Sequence, residues 1–299
     1  MESQQANHTP VLFLIYNRPE ETYRSFASIA AAKPQRLYIA GDGSKDRPGD
    51  PELVALTRSV VDRVDWDCDV RTQFQPINLG GKHGPLAGID WFFENEPEGI
   101  ILEDDTVAHA SFFRFASEML ARFRDDSRIM KVSGHNALSG MSSYPGDYFF
   151  SHLSYSWGWA SWRRAWKFND PDMTKWAEIK RLGLNRAPQI DWYTNRVVNR
   201  SSAKMHTWDY QWDLSMASQN GLHIVPCINM ITNIGFNHRA SRTTNPLLAR
   251  AQAAAGEVDF PLEHGPGYVM PNRIFHRALR IHQVKQKLLV RVSRLWHWL

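Results

Sequence analysis

Residues 10–44 read PVLFLIYNRPEETYRSFASIAAAKPQRLYIAGDGS. Pro10 to Tyr16 is an unbroken apolar run, the pattern of a strand buried on both faces. Pro19 suits the first turn of a helix. From Glu20 to Ala32 the apolar residues Tyr23, Phe26, Ile29 and Ala30 return to one helical face. Arg36 to Ala40 is apolar again and closes in Gly41-Asp42-Gly43-Ser44. A strand, a helix and a second strand in this order predict a parallel sheet with a crossover helix. The alternation continues past the Pro/Gly/Asp loop at 45–51. Helices are expected over Pro51–Val64, Pro85–Glu94 and Ala110–Arg124, and strands over Cys68–Gln73, Gly99–Leu102 and Met130–Ser133. The expected fold class is α/β, with a Rossmann-like, mostly parallel central sheet flanked by helices.

The strand at 99–102 runs into the chemically densest point of the chain, Ile100-Ile101-Leu102-Glu103-Asp104-Asp105. Three adjacent carboxylates repel one another and call for a cation or donors nearby. Side chains alternate along a strand, so Glu103 and Asp105 are expected to face one way and Asp104 the other. Hard oxygen ligands of this kind suit Mg²⁺ or Mn²⁺ and leave positions open for phosphate oxygens. A solvated strand end whose acids cap the next helix is the plainer alternative.

The 299 residues carry a net charge of +4, which implies no general affinity for nucleic acid. Two cysteines, Cys68 and Cys227, form neither a disulfide framework nor a metal knuckle. The polar amino terminus and the lack of an apolar run of ~20 residues predict neither a secretory signal nor a membrane span. An intracellular, reducing setting is expected. Of the 12 tryptophans, eight fall between Trp157 and Trp212. Such rings stack on the apolar faces of sugars or pack in a core.

Beyond Gly134 the βα alternation fades into Gly-, Ser- and Trp-rich segments. The chain is therefore expected to divide at 1–134, 135–270 and 271–299. The last segment holds seven Lys or Arg and no acid from Arg273 onward. Ile281, Val284, Leu288, Val292, Leu295 and Leu299 recur there at helical spacing. A basic amphipathic helix of this type either lies on an anionic membrane surface or packs on the domain with a solvated basic face.

The order Tyr16-Asn17-Arg18-Pro19, Asp42-Gly43-Ser44, Asn78-Leu79-Gly80 and Leu102-Glu103-Asp104-Asp105 resembles the GT-A nucleotide-sugar glycosyltransferases. GIDWFFEN at 88–95, SWGWASWRRAW at 156–166, WDYQW at 208–212 and ITNIGF at 231–236 narrow the resemblance to bacterial glycosyltransferase family 2-like proteins. The resemblance covers roughly residues 10–240. It implies a GT-A fold with a nucleotide-sugar-binding half (1–134) and an acceptor-binding, catalytic-base half (135–270). It also implies a sugar donor activated by a nucleotide diphosphate, UDP by default, Mn²⁺ or Mg²⁺, and a glycan or lipid-linked acceptor in surface polysaccharide assembly. The implied location is cytoplasmic, peripheral at the inner face of the plasma membrane.

Residue by residue, the resemblance places Tyr16, Asn17 and Arg18 around the nucleotide, with the Arg18 fork suited to phosphate. Asp42 would accept from the base, although Asp-Gly-Ser is also an ordinary turn. Asn78, Gly80 and Lys82 would approach the phosphates. Asp105 falls on the metal position, Asp104 near the ribose, and Glu103 in support. Inverting transfer needs a base beside the acceptor hydroxyl. Asp209, at an expected helix start, is the candidate, with Asp213 one turn on as the alternate; a helix cap is the plain reading of Asp209. Trp157, Trp159, Trp162 and Trp208 are candidates for an acceptor platform, or for the core. Asn237–Thr243 has the composition of a basic lid with His238 in it. Relatives tend to carry Ala-Thr-His after the glycine, where this chain has Ala240-Ser241-Arg242.

Two other function classes compete. A nucleotidyltransferase would carry a Gly-rich phosphate loop after the first strand, which Asn17-Arg18-Pro19 lacks. A non-catalytic carbohydrate-binding protein on the same fold would have no need of Asp105 and Asp209 together.

Overall fold

The computed structural model describes residues 8–140, 145–187, 189–190, 195, 198–199, 205–236, 252–265 and 267–296. Strand β1 (Val11–Ile15) leads through helix α1 (Pro19–Ala32) to β2 (Arg36–Gly41), then α2 (Asp50–Arg58), β3 (Asp69–Phe74), α3 (Gly80–Asn95) and β4 (Glu98–Glu103). A short β5 (Thr106–Ala108), α4 (Ala110–Arg122) and β6 (Ile129–Ser133) follow. The remaining elements are β7 (Tyr148–Ser151), β8 (Trp159–Trp162), α5 (Arg163–Trp166), α6 (Trp176–Arg181), α7 (Asp209–Ser218), β9 (Leu222–Pro226), β10 (Ile231–Asn233) and α8 (Arg273–Trp296).

Eight strands form one sheet in the order β3-β2-β1-β4-β8-β6-β9-β7. The pairs β3–β2, β2–β1, β1–β4 and β6–β9 are parallel, while β8 runs antiparallel to both neighbours and β7 antiparallel to β9. This is the mixed α/β, mostly parallel sheet expected from the alternation of 10–134. The stretch beyond Gly134, where that alternation fades, still supplies three strands to the same sheet. One sheet therefore spans the 134 boundary.

Strand alternation assigns the core to two layers. Val11, Phe13 and Ile15 pack with Phe26 and Ile29 of α1 and Phe112 and Phe115 of α4. Leu12 and Leu14 face the other side, against Ile89 and Phe92 of α3 and the rings Trp159, Trp166, Trp208 and Trp212. Each such side chain contributes about 1.5–3 kcal/mol when fully buried, so the central strands are heavily fixed. Helix α3 comes close to the sheet at Gly88, where a Cβ would stand 2.7 Å from Ala40 Cβ and 2.8 Å from Leu14 Cδ2.

Two helices differ from their expected bounds. Helix α3 begins at Gly80 and carries Pro85 inside it, where the proline has no N–H to donate to the Gly81 carbonyl one turn back. Helix α2 stops at Arg58 and the chain tightens into a 3₁₀ turn over Ser59–Arg63. Strand β10 pairs antiparallel with β5, Thr232 opposite Val107, which lays the segment after Asn233 across the end of β4. Helix α8 packs Phe275 and Leu279 on Phe149 and Val225. Among the described residues no helix is long and apolar enough to cross a membrane.

Candidate active site

A cavity of about 920 Å³ opens beyond the carboxyl ends of β1, β2 and β4, the edge where ligands bind in open α/β sheets. Its wall holds Tyr16, Asn17 and Arg18 after β1, Asp42 after β2, Asn78 and Gly80 at the start of α3, and Glu103, Asp104 and Asp105 after β4. Trp157, Trp208, Asp209 and Asp213 line the same space from the far side of the chain. The fold thus brings together blocks that are up to two hundred residues apart in sequence.

The β1 end is shaped by a residue that sequence reading passed over. Asp50, buried at the start of α2, accepts from Tyr16 Oη at 2.8 Å, Asn17 Nδ2 at 2.6 Å, the Lys45 amide at 2.7 Å and Arg47 at 2.7 and 3.0 Å. Burial alone would raise its carboxyl, but these donors outweigh burial and hold it well below the usual range. The same site raises the Tyr16 hydroxyl, through burial first and the Asp50 bond second. Asp50 thereby clamps the Tyr16–Asn17 turn to the 45–47 loop. The available signal was Asp-Pro at a helix start, which reads as local capping.

Asp42 plays a different part from the one expected of it. Oδ1 accepts from the amides of Gly43 and Leu79, both at 2.8 Å, and Oδ2 from Asn78 Nδ2 at 3.0 Å and Gly80 N at 2.9 Å. A carboxylate has about four acceptor positions, so Asp42 has none left for a nucleobase N–H. It shapes the 78–80 loop and sets the start of α3 against the cavity. Asn78 is held by the same bond and by Gly43 O at 2.8 Å. Lys82, expected at the phosphates, is the third residue of α3 and pairs with Asp172 at 3.0 Å, and it is not among the cavity-lining residues.

Glu103 is the last residue of β4, while Asp104 and Asp105 lie in the turn after it, so the expected strand alternation does not extend to them and all three acids line the cavity. Asp104 is buried and both its oxygens are taken by the Arg18 guanidinium. Glu103 and Asp105 are partly exposed on the cavity wall. A third Arg18 bond reaches Asp105 Oδ2 at 3.0 Å. Burial pushes the Asp104 carboxyl up, to about 6, against the pull of Arg18. Burial likewise opposes the charge on Arg18, but Asp104 and then Asp105 override it and raise its pKa. Asp105 is also tied to the β10 segment. Its carbonyl accepts from Ile234 N at 2.8 Å, and a Cβ at Gly235 would stand 2.2 Å from Oδ2. Only glycine lets that segment lie over the carboxylate.

Among the described residues no group of three or more His, Cys, Asp or Glu is arranged to hold a metal. Among the described residues of the strand end, Asp105 and Glu103 are the partly exposed cavity carboxylates that a divalent ion could reach. Two such oxygen ligands fit a Mg²⁺ or Mn²⁺ whose remaining ligands are waters and substrate phosphates.

Under the opposite wall lies a buried cation. Lys131 of β6 is 0 % exposed, with Nζ 3.3 Å from Asp213 Oδ1 and 3.4 Å from Ser156 Oγ. Burial lowers its pKa, while Asp213 and then Asp209 oppose the drop. Asp209 is the first residue of α7 and Asp213 the fifth, so both lie on one face, a turn apart. Asp209 is in the first turn rather than capping it; the cap position is Trp208.

The tryptophans divide by burial. Trp157 is half-buried on the wall, its ring 4.7 Å from His135, 5.4 Å from Tyr155 and 5.8 Å from Phe236. Trp208 presents only a sliver to the cavity and stacks on Trp159 at 5.7 Å. Trp159 and Trp162, both on β8, are wholly buried in the two core layers, and neither has an open ring face for a sugar. His238 and the rest of 237–251 lie outside the described residues.

No protein-family model and no curated protein matches this sequence. Among solved structures, the chain is similar to a mannosyltransferase from Pyrobaculum calidifontis in complex with GDP-Man and Mn²⁺, at 12 % identity and a TM-score of 0.34. The match covers 59 % of this chain and 47 %, about half, of that one. Values this low do not carry that enzyme's donor or metal over to this chain.

Proposed function

We propose that this protein is a metal-dependent, inverting glycosyltransferase that moves a sugar from a nucleotide diphosphate donor, UDP by default, to a glycan or lipid-linked acceptor, in surface polysaccharide assembly. One observation carries the reading. Tyr16–Arg18, the 78–80 loop and the Glu103–Asp105 end line a single cavity whose other wall presents two carboxylates on one helix face. Donor groups and a general base on opposite walls are what in-line displacement at an anomeric carbon requires.

In this reading the nucleotide lies along the Tyr16–Asn17 turn that Asp50 braces and the 78–80 loop that Asp42 braces. Arg18 is the cation nearest the diphosphate. Asp105, supported by Glu103, would hold a divalent ion, which when bound neutralises charge on the departing diphosphate. The acceptor hydroxyl oxygen attacks the anomeric carbon and the bond from that carbon to the diphosphate oxygen breaks. Asp209 receives the hydroxyl proton. Trp157, half-buried on the cavity wall, offers a ring against which an acceptor sugar can stack.

The test is a donor-hydrolysis and transfer screen across nucleotide sugars with and without Mn²⁺. Asp105→Asn is expected to lose metal-dependent donor binding. Asp209→Asn is expected to bind donor normally yet transfer at about a hundredth of the rate or less. Full turnover by both variants would contradict the assignment.

A further inference from the structure

Helix α8 has two faces. At 100° per residue, Phe275, Leu279 and Gln283 fall together, and Phe275 and Leu279 pack on Phe149 and Val225 while Leu279 and Gln283 reach the cavity. Ile274, Ile281, Val284 and Leu288 fall within an arc of about 80° on the opposite side. They are 82, 53, 42 and 55 % exposed. Four large aliphatic side chains in one row on a single helix are far from the scattered exposure ordinary on a protein surface. Tyr268 and Met270, just before the helix, are 54 and 62 % exposed as well.

The charge on this helix is one-sided. Arg273, Arg277, Arg280 and Lys285 are exposed, and no acid occurs from 273 to 299. Arg280 and Lys285 flank the apolar row on its two sides, and Arg277 lies within its arc, between Ile274 and Ile281 along the helix. An apolar row edged by cations complements one partner in particular, a bilayer with anionic headgroups. The aliphatic groups enter the acyl boundary and the basic stems reach the phosphates. A second copy of the same helix is a poor fit, because pairing two such faces would set cations against cations.

We propose that the outer face of α8 docks on an anionic lipid surface. Docking uses the row Ile274, Ile281, Val284 and Leu288, about 21 Å long at 1.5 Å per residue. Because the opposite face of the same helix lines the cavity, docking brings the cavity within about one helix diameter, ~10 Å, of the headgroups. This rests on α8 alone and not on the transferase reading, so either can fail without the other.

The test is sedimentation of the full-length chain with vesicles of phosphatidylcholine alone and of phosphatidylcholine and phosphatidylglycerol in equal parts. The protein is expected to pellet with the anionic vesicles only, and less so as salt is raised. Each basic residue near the surface is worth roughly fivefold in binding. Replacing Arg277, Arg280 and Lys285 by Gln is therefore expected to weaken association by about a hundredfold. Ile281→Ser with Leu288→Ser should abolish it at unchanged circular dichroism and melting temperature, since both side chains face outward. Equal pelleting with neutral vesicles, no pelleting at all, or pelleting unaffected by either set would overturn the proposal. So would a lipid-free dimer that the serine pair dissolves.

Discussion

Replacing Asp213 by Asn removes the carboxylate opposite a fully buried ammonium. Lys131 Nζ and Asp213 Oδ1 are 3.3 Å apart, which at an effective dielectric near 20 is an attraction of about 5 kcal/mol. Desolvating Lys131 costs several kcal/mol, so the intact pair is close to balance. Without Asp213 the cost remains and only the weaker pull of Asp209 is left to offset it. The ammonium can escape only by losing its proton, which at pH 7 costs no more than about 5 kcal/mol for a group that ordinarily titrates near 10.4. Asp213→Asn is therefore expected to destabilise by about 3–4 kcal/mol at pH 7. That loss should shrink as pH rises, by up to about 1.4 kcal/mol per unit, because the neutral amine is then easier to form. Lys131→Met alone should cost about 1–2 kcal/mol, since the Asp213 side chain, 28 % exposed, can be hydrated in place of the lost partner. The double variant should lie within about 1 kcal/mol of wild type, as an apolar replacement for a buried pair commonly does. Urea unfolding of the four proteins at pH 7 and pH 9 gives the full cycle. Additive losses in the double variant, or an Asp213→Asn loss that does not change with pH, would refute a charged Lys131 neutralised by Asp213.

Three other outcomes follow from the site and its surroundings. Asp42→Ala leaves the amides of Gly43, Leu79 and Gly80 without their acceptor and the Asn78 side chain with Gly43 O alone, so about 2–3 kcal/mol of stability should be lost. Amide exchange at Leu79 and Gly80 should accelerate, and unchanged exchange there would rule out the bracing role. Gly235→Ala places a Cβ against Asp105 Oδ2; on the proposed reading, donor affinity measured by calorimetry with Mn²⁺ should fall at least tenfold while the melt is little changed. Burial holds His135 and His276 neutral down to about 4 in the folded chain, and for His276 the nearby His152, Arg280 and Arg273 add to the effect. Their unfolded counterparts titrate near 6.5, so the unfolded chain takes up protons first as pH falls. Stability from each is therefore complete above pH 6.5 and is lost between 6.5 and 4, by about 3 kcal/mol per histidine. His276→Gln should flatten that part of a urea-midpoint profile, and an unchanged slope would count against a neutral His276.

The parts legible in sequence are those whose cause is local. Val11–Ile15 and Ile100–Leu102 are covered on both faces, so they show as continuous apolar runs. The apolar run into Glu103 marks the end of β4, although Asp104 and Asp105 turn out of the strand rather than alternating along it, and Asp209 does begin a helix. What stayed hidden depends on contacts distant in sequence. Asp42 is saturated by a loop more than thirty residues away, and nothing in Asp-Gly-Ser distinguishes that from a plain turn. Asp50 reads as a helix-start acid until Tyr16 and Asn17 are folded onto it. Trp159 and Trp162 sit among small residues that suggest an open platform, but β8 is inserted between β4 and β6 and buries both. Lys131 did leave a signal: a lysine inside the otherwise apolar Ile129–Ser133 strand needs a counter-charge, and Asp213 is that charge.

The acids around the cavity are then unequal. Asp42 and Asp50 spend their acceptor capacity on the backbone and side chains that shape the walls, and Asp104 spends its own on Arg18. The repulsion expected among three adjacent carboxylates is met within the chain, because Arg18, placed after the neighbouring parallel strand β1, lies between Asp104 and Asp105. On the proposed reading this makes two cations competitors for Asp105. A divalent ion that takes Oδ2 must displace one arm of the guanidinium, while the bonds to Asp104 keep Arg18 at the cavity wall. The displaced arm then has an unpaired donor facing the space where the diphosphate is expected. Metal and donor binding would thus reinforce each other, since phosphate oxygens complete the ion's shell and also receive the arm of Arg18 that the ion releases.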